Sequence, residues 1–182
     1  MNRQSTLIAL LFVSLFLVNC KKSTDAVSPA DVPTQLTRKW VFAEIVVQTD
    51  AKRYSIPPEK LSVNGDDNTI IILSGGTYTY LENKATKKGK WALSNNNQTL
   101  TLTDADASAE VWQIVSLTSS TMELGTITVD LTKTKQTDEE AGVAFACGLA
   151  LSTIDKQSGG TVDFTKEPKP KTVQLIVKAK AQ

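Results

Sequence analysis

No histidine occurs among the 182 residues. That removes the side chain most used for proton transfer near neutral pH and most often bound to transition metals. Of the two cysteines, Cys20 ends an N-terminal apolar stretch and Cys147 stands alone in the body of the chain, so there is no intramolecular disulfide framework and no cysteine-rich metal site. Acid–base chemistry would have to run on Asp, Glu, Lys or Tyr. No nucleophile–base pair, glycine-rich phosphate loop or paired-carboxylate frame is legible. The chain reads as non-catalytic, with no cofactor and no metal. What remains is binding chemistry. Trp40, Tyr78, Tyr80, Trp91 and Trp112 are the residue types that line ligand pockets, and equally the types that fill cores. Glu44 shares strand parity with Trp40 and Phe42. If Trp40 points inward, Glu44 does too, and an inward carboxylate would orient a ligand or require a partner or water; the alternative is a position near an open rim.

Three further clusters are weaker. Asp104, Asp106, Ser108 and Glu110 place oxygens at every second residue, like the start of a calcium loop. An EF-hand needs Gly at its sixth position and Glu at its twelfth, where this chain has Ala109 and Val115, so a solvated hairpin is expected. Lys84, Lys87, Lys88 and Lys90 surround Gly89; they read as a solvated hairpin tip, or as a contact for anionic lipid head groups. Cys147, between Ala146 and Gly148, reads as a small buried hydrophobe, since a reactive thiol needs an electropositive, exposed setting.

The elements that must position these residues start at the N-terminus. Arg3 precedes Leu7–Val18, twelve residues apolar except for Ser14, and then Asn19-Cys20. This is the layout of a secretory signal peptide and is too short for a bilayer-spanning helix. Leu17-Val18-Asn19-Cys20 resembles a bacterial lipoprotein lipobox, with Asn19 in place of the usual small residue. The resemblance implies cleavage before Cys20 and lipidation of that cysteine, hence a membrane partner and a cell-envelope location. Lys21 at the next position favours the outer membrane by resemblance to Gram-negative sorting rules. The chain from Cys20 onward has 163 residues, with 19 basic and 19 acidic side chains. A neutral balance argues against a nucleic-acid partner. Residues 20–36, polar with Pro29 and Pro33, read as a flexible tether, and residues 37–182 as one domain.

Within that domain the period is two, and threonine, 23 residues in the full chain, suits strands with one wet face. Strands are expected at 39–48, 69–73, 77–81, 90–93, 99–103, 110–117, 122–124, 126–132 and 172–180. Turn chemistry separates them at Asn64–Asn68, Ser74-Gly75-Gly76, Ser94–Asn97 and Thr118–Ser120. Short strands at this spacing predict an antiparallel barrel or sandwich. The exception follows the capping-box pattern Thr137-Asp138-Glu139-Glu140. Val143, Ala146, Cys147, Ala150 and Ile154 fall at helical spacing, which predicts a helix over 138–154. A strand pair bent at Gly148 is the competing reading, because 143–151 is apolar all round.

The order of these motifs resembles a known family. Trp40 opens the first strand; Gly75-Gly76-Thr77-Tyr78 leads into Gly89-Lys90-Trp91, then Leu100-Thr101-Leu102, then Ile114-Val115-Ser116-Leu117-Thr118 and Met122-Glu123-Leu124. Over about residues 37–126 this is similar to the lipocalin-like domains of small bacterial envelope lipoproteins, with Arg38 where a glycine is usual. The resemblance implies an up-and-down barrel of about eight strands that holds one small apolar or amphipathic ligand, or is filled by its own side chains and serves as an interaction scaffold. Trp40, Glu44, Tyr78, Tyr80, Trp91 and Trp112 are the candidate ligand-binding residues.

Overall fold

A computed structural model describes residues 31–61, 68–82 and 85–182. The apolar leader, Cys20, the first part of the tether, most of the Asn64–Asn68 turn and Lys84 lie outside the described residues. Among the described residues there are ten strands: β1 (Lys39–Thr49), β2 (Arg53–Ile56), β3 (Thr69–Leu73), β4 (Thr77–Glu82), β5 (Ala85–Ser94), β6 (Thr99–Asp104), β7 (Ala109–Leu117), β8 (Thr121–Gly125), β9 (Val129–Asp130) and β10 (Thr172–Ala181). Two α-helices, α1 (Val32–Leu36) and α2 (Asp138–Ser152), accompany them. Eight strands close an antiparallel barrel in the order β1-β3-β4-β5-β6-β7-β8-β10, with β10 pairing back onto β1. The hairpins turn where Gly and Asn permit positive φ: Gly75 and Gly76 at +90° and +79°, and Asn95, Asn96 and Asn97 at +49° to +62°.

β1 and β10 are longer than the barrel needs. Their shared ladder runs from Trp40↔Ala181 to Thr49↔Val173. At one end β3 and β8 flank it and complete the barrel. At the other end β2 and β9 flank it and make a four-stranded sheet. Alternate residues of β10 share one face. On that face Ala179 joins the barrel core, Val177 lines the barrel interior, and Leu175 and Val173 lie beneath α2. The barrel lining therefore continues without a break into the surface that carries the helix. There are two cores: Trp40, Ile72, Tyr78, Leu100, Met122 and Leu124 inside the barrel, and Val47, Tyr54, Ile56, Val129, Cys147 and Ala150 under α2.

The packed domain begins earlier than residue 37, because part of the expected tether is folded. α1 is only five residues long, too short to be stable alone. It holds because Val32 and Leu36 are buried against the barrel core, each contributing about 1.5–3 kcal/mol of apolar burial. The Trp40 indole N–H donates to the Leu36 carbonyl at 2.9 Å, in full burial. Arg38 explains itself here: its guanidinium lies 5.5 Å from the Trp40 ring, donates to the Ser119 carbonyl and reaches Gln35 Oε1 at 2.9 Å. α1 and Arg38 thus close this end of the barrel.

The segment expected to be helical is α2. Thr137 Oγ1 accepts from the Glu140 N–H at 3.2 Å, and Glu140 Oε2 accepts from the Thr137 N–H at 2.9 Å, so the capping box is complete. The Lys133 ammonium donates to Glu140 Oε1 at 2.6 Å. The alternation of 126–132 is a poorer guide: only Val129–Asp130 pair as a strand, opposite Val173 and Thr172, while the Thr126 N–H donates to the Leu175 carbonyl at 2.9 Å.

Candidate functional site

The barrel interior offers the only ligand-type space that the sequence anticipates. It holds an apolar cavity of about 70 Å³ bordered by Phe42, Ile72, Leu100, Leu102, Trp112, Leu124 and Val177, with Glu110 among the lining residues. Strand alternation aims these side chains inward: Leu100 and Leu102 from β6, Trp112 and Glu110 from β7, Leu124 from β8. The Trp112 indole N–H donates to Glu110 Oε2 at 3.2 Å.

Tyr78, Gly89 and Asp104 form one inward row across β4, β5 and β6. A methyl group on Gly89 would lie 2.5 Å from the Tyr78 ring, so the absent side chain is what lets the ring lie flat over β5. The Tyr78 hydroxyl donates to Asp104 Oδ1, and Tyr80, whose ring centroid is 5.9 Å from that of Tyr78, donates to Asp104 Oδ2 at 3.3 Å. Burial above all, and then the Asp104 carboxylate, pushes the Tyr78 hydroxyl far above the usual tyrosine range. A phenol held this firmly in its neutral form is a structural hydrogen-bond donor and not a base.

The six anticipated residues do not form one site. Only Trp112 borders the cavity. Trp40 sits at the closed end under α1, and Trp91 donates from its indole to the Leu73 carbonyl at 2.9 Å at the β3–β4 turn. Glu44 is not inside the barrel. The register passes from Phe42↔Ala179 directly to Glu44↔Lys178, leaving Ala43 as a bulge, and one extra residue reverses the faces of everything after it. Glu44 instead accepts from the Lys178 ammonium at 2.5 Å on the outer face; Lys178 also lies 3.6 Å from Glu123, and Arg53 of β2 reaches Glu123 at 3.0 Å across β1 and β10. Lys178 first, and then Ser55, holds the Glu44 carboxyl below its ordinary value. Glu110, exposed at the rim beside Trp112, and Asp104 are the acids of inward parity that the anticipated set lacks. The signal for Glu110 was parity with Trp112, two residues on.

Of the remaining clusters, the acidic turn and Cys147 serve the fold, while Lys87, Lys88 and Lys90 stand exposed on β5. Asp106 accepts from the Ser108 N–H at 3.0 Å and from its hydroxyl at 2.7 Å, tying the β6–β7 turn. No group of ligands suited to a metal ion occurs among the described residues. Cys147 is buried, and burial pushes its thiol up to about 11, which leaves no thiolate near neutral pH.

A family model for a lipocalin-like domain matches residues 36–124. This segment, just under half of the chain, is similar to lipocalin-like domains. The match runs from the end of α1 through β8. β10, which closes the barrel, follows it after α2. Two solved structures from Bacteroides uniformis ATCC 8492 are similar to this chain. One is an NMR structure, 20% identical over 51% of this chain and 76% of that one, with a TM-score of 0.33. The other is a crystal structure of a lipocalin-like protein, 12% identical over 50% of this chain and 88% of that one, with a TM-score of 0.32. No curated protein matches the chain.

Proposed function

We propose that this protein is a lipid-anchored, non-catalytic interaction module of the cell envelope, held through Cys20 on the outer membrane, whose lipocalin-like barrel is filled by its own side chains. The observation that carries the reading is the size of the interior. A pocket for a drug-sized molecule runs to about 300–1,000 Å³, and the cavity here is about 70 Å³. A filled barrel acts through its outside, and Phe145 and Leu149 of α2 stand 68% and 54% exposed. Large exposed apolar side chains gathered on one element mark interaction surfaces. The lipobox-like Leu17-Val18-Asn19-Cys20 carries the anchor. Cys20→Ala is expected to abolish incorporation of labelled fatty acid and to leave an uncleaved precursor; normal labelling of that variant overturns the anchor.

A second reading has one observation in its favour. The cavity wall is almost wholly apolar, with the Glu110 carboxylate beside Trp112. That pattern suits a small apolar or amphipathic ligand of a few heavy atoms. Native mass spectrometry of the chain from Cys20 onward, after incubation with an envelope extract, separates the two. A bare polypeptide mass supports the filled module. A reproducible small added mass supports the ligand-binding barrel.

A further inference from the structure

We infer that the outward face of α2 docks in a lipid bilayer and so sets the orientation of the anchored domain; the inference rests on the anchored-module reading and gives its partner a chemistry. From Ala141 to Ser152 the helix has no charged residue. Its inner side packs through Cys147 and Ala150 on the sheet. Its outer side presents Gly142, Phe145, Gly148 and Leu149 to solvent. A helix that is apolar on every side belongs in an apolar surrounding on every side, and the sheet supplies only one.

The shape of the face selects the occupant. Apart from the adjoining residues and the helix's own backbone, no atom lies within 4 Å of where a side chain would begin at Gly142 or Gly148. Phe145 and Leu149 therefore stand as a narrow ridge with open space beside them. Together they offer roughly 200–250 Å² of apolar surface, judged from their exposed fractions and the area an aromatic or Leu side chain buries. A stable protein interface takes about 800 Å² from each partner, so neither a second copy nor a protein groove is well served by this ridge. A bilayer needs no matching groove. Lipid chains close around protruding Phe and Leu side chains at the head-group boundary.

The length of chain before the fold allows this arrangement. Asp31, the first described residue, lies eleven residues after Cys20, a span of at most about 36–40 Å when extended. β1, eleven residues long, covers a similar distance, about 36 Å. It runs from the α1 end of the barrel to the sheet beneath α2. A domain tethered at the α1 end can therefore lie with α2 on the membrane to which Cys20 is fixed. The lipid already holds the domain at the surface, since more than one acyl chain anchors stably; the ridge adds a second contact that fixes how the domain lies. The acidic first turn, Asp138, Glu139 and Glu140, makes zwitterionic lipid the better surface.

Both cores are complete within residues 32–181, so the chain from Cys20 onward with Cys20→Ser is a folded, unlipidated probe. It is floated with phosphatidylcholine vesicles, beside the double variant Phe145→Asp/Leu149→Asp and the conservative Phe145→Trp. The expected result is flotation of the parent and of Phe145→Trp, at least a tenfold loss for the double variant, and monomeric mass for all three by light scattering. Unchanged flotation of the double variant overturns the inference. So does a patch-dependent dimer, or patch-dependent binding to a purified envelope protein without vesicle binding. Fatty-acid labelling of Cys20 in the natural chain is read separately. A labelled chain whose ridge does not float vesicles keeps the anchor and loses the docking face; an unlabelled chain whose ridge does float them keeps the face and loses the anchor.

Discussion

Glu44 shows how one backbone residue relocates a charge. The bulge at Ala43 moves its carboxylate from the expected barrel interior to the outer face, where Lys178 donates to it at 2.5 Å. The pair is about 30% exposed on each side, so its worth is that of a half-exposed ion pair, up to about 1 kcal/mol. Because the Glu44 carboxyl is depressed in the folded state, its contribution is present above the ordinary value of 4.5 and is lost as the pH falls through the lowered folded value. Glu44→Gln should lower stability slightly at pH 7, and urea titrations of the two proteins should converge in acid. A gap that persists below the carboxylate range would point to packing and not charge. Gly89 has the opposite character, since what matters is an absence. Gly89→Ala would put a methyl 2.5 Å from the Tyr78 ring and 2.6 Å from the Thr103 carbonyl. It should cost about 1–3 kcal/mol and disturb the Tyr78–Asp104 bond, read by denaturation and by the near-ultraviolet tyrosine signal. Neither outcome was legible in the residue types. A bulge is a property of the ladder, and Gly89 looks like any hairpin glycine until its neighbour across the sheet is known.

Elements were legible in proportion to how local their causes are. The expected strands 69–73, 77–81, 99–103 and 110–117 agree with the ladder to within a residue, because alternation and the flanking Asn and Gly turns are written in the chain itself. α2 was legible as far as its start, since the capping box is a four-residue signal. Its end was set late, since Ile154 is buried in a turn after Ser152 and not in the helix. Thr137→Ala should cost about 1 kcal/mol in thermal or urea unfolding, and Thr137→Ser should restore most of it. Equal losses from both would place the role of Thr137 outside the cap. β2 and α1 were not legible. Four residues of Arg53–Ile56 become a strand because β1 continues past the barrel and leaves an edge to pair. Val32–Leu36 becomes a helix because an open barrel end offers an apolar seat. Both causes are tertiary.

At the scale of the whole molecule, the lipocalin-like residues end at β8, and the last barrel strand arrives only after β9, α2 and the long segment to Lys171. Strand number and spacing left barrel and sandwich both open; the order of the motifs, through its resemblance to lipocalin-like domains, implied the barrel. The second core was not readable, since nothing in the order of motifs announces that the ladder shared by β1 and β10 would serve two structures at once. That ladder holds a strand of the barrel on either side at one end and the α2 sheet at the other. The two cores should therefore unfold together: a chain ending at Lys171 is expected to lose the cooperative transition altogether, whereas retained cooperativity in circular dichroism would show the barrel closing without β10. There is a consequence for how such a chain is made. The strand that seals the barrel leaves the ribosome after the other nine, and its partner β1 is the first of the ten strands. Until the final ten residues of ladder exist, β1 keeps an unpaired edge and neither core can be completed. A chain built this way keeps its barrel open until the tenth strand has been made.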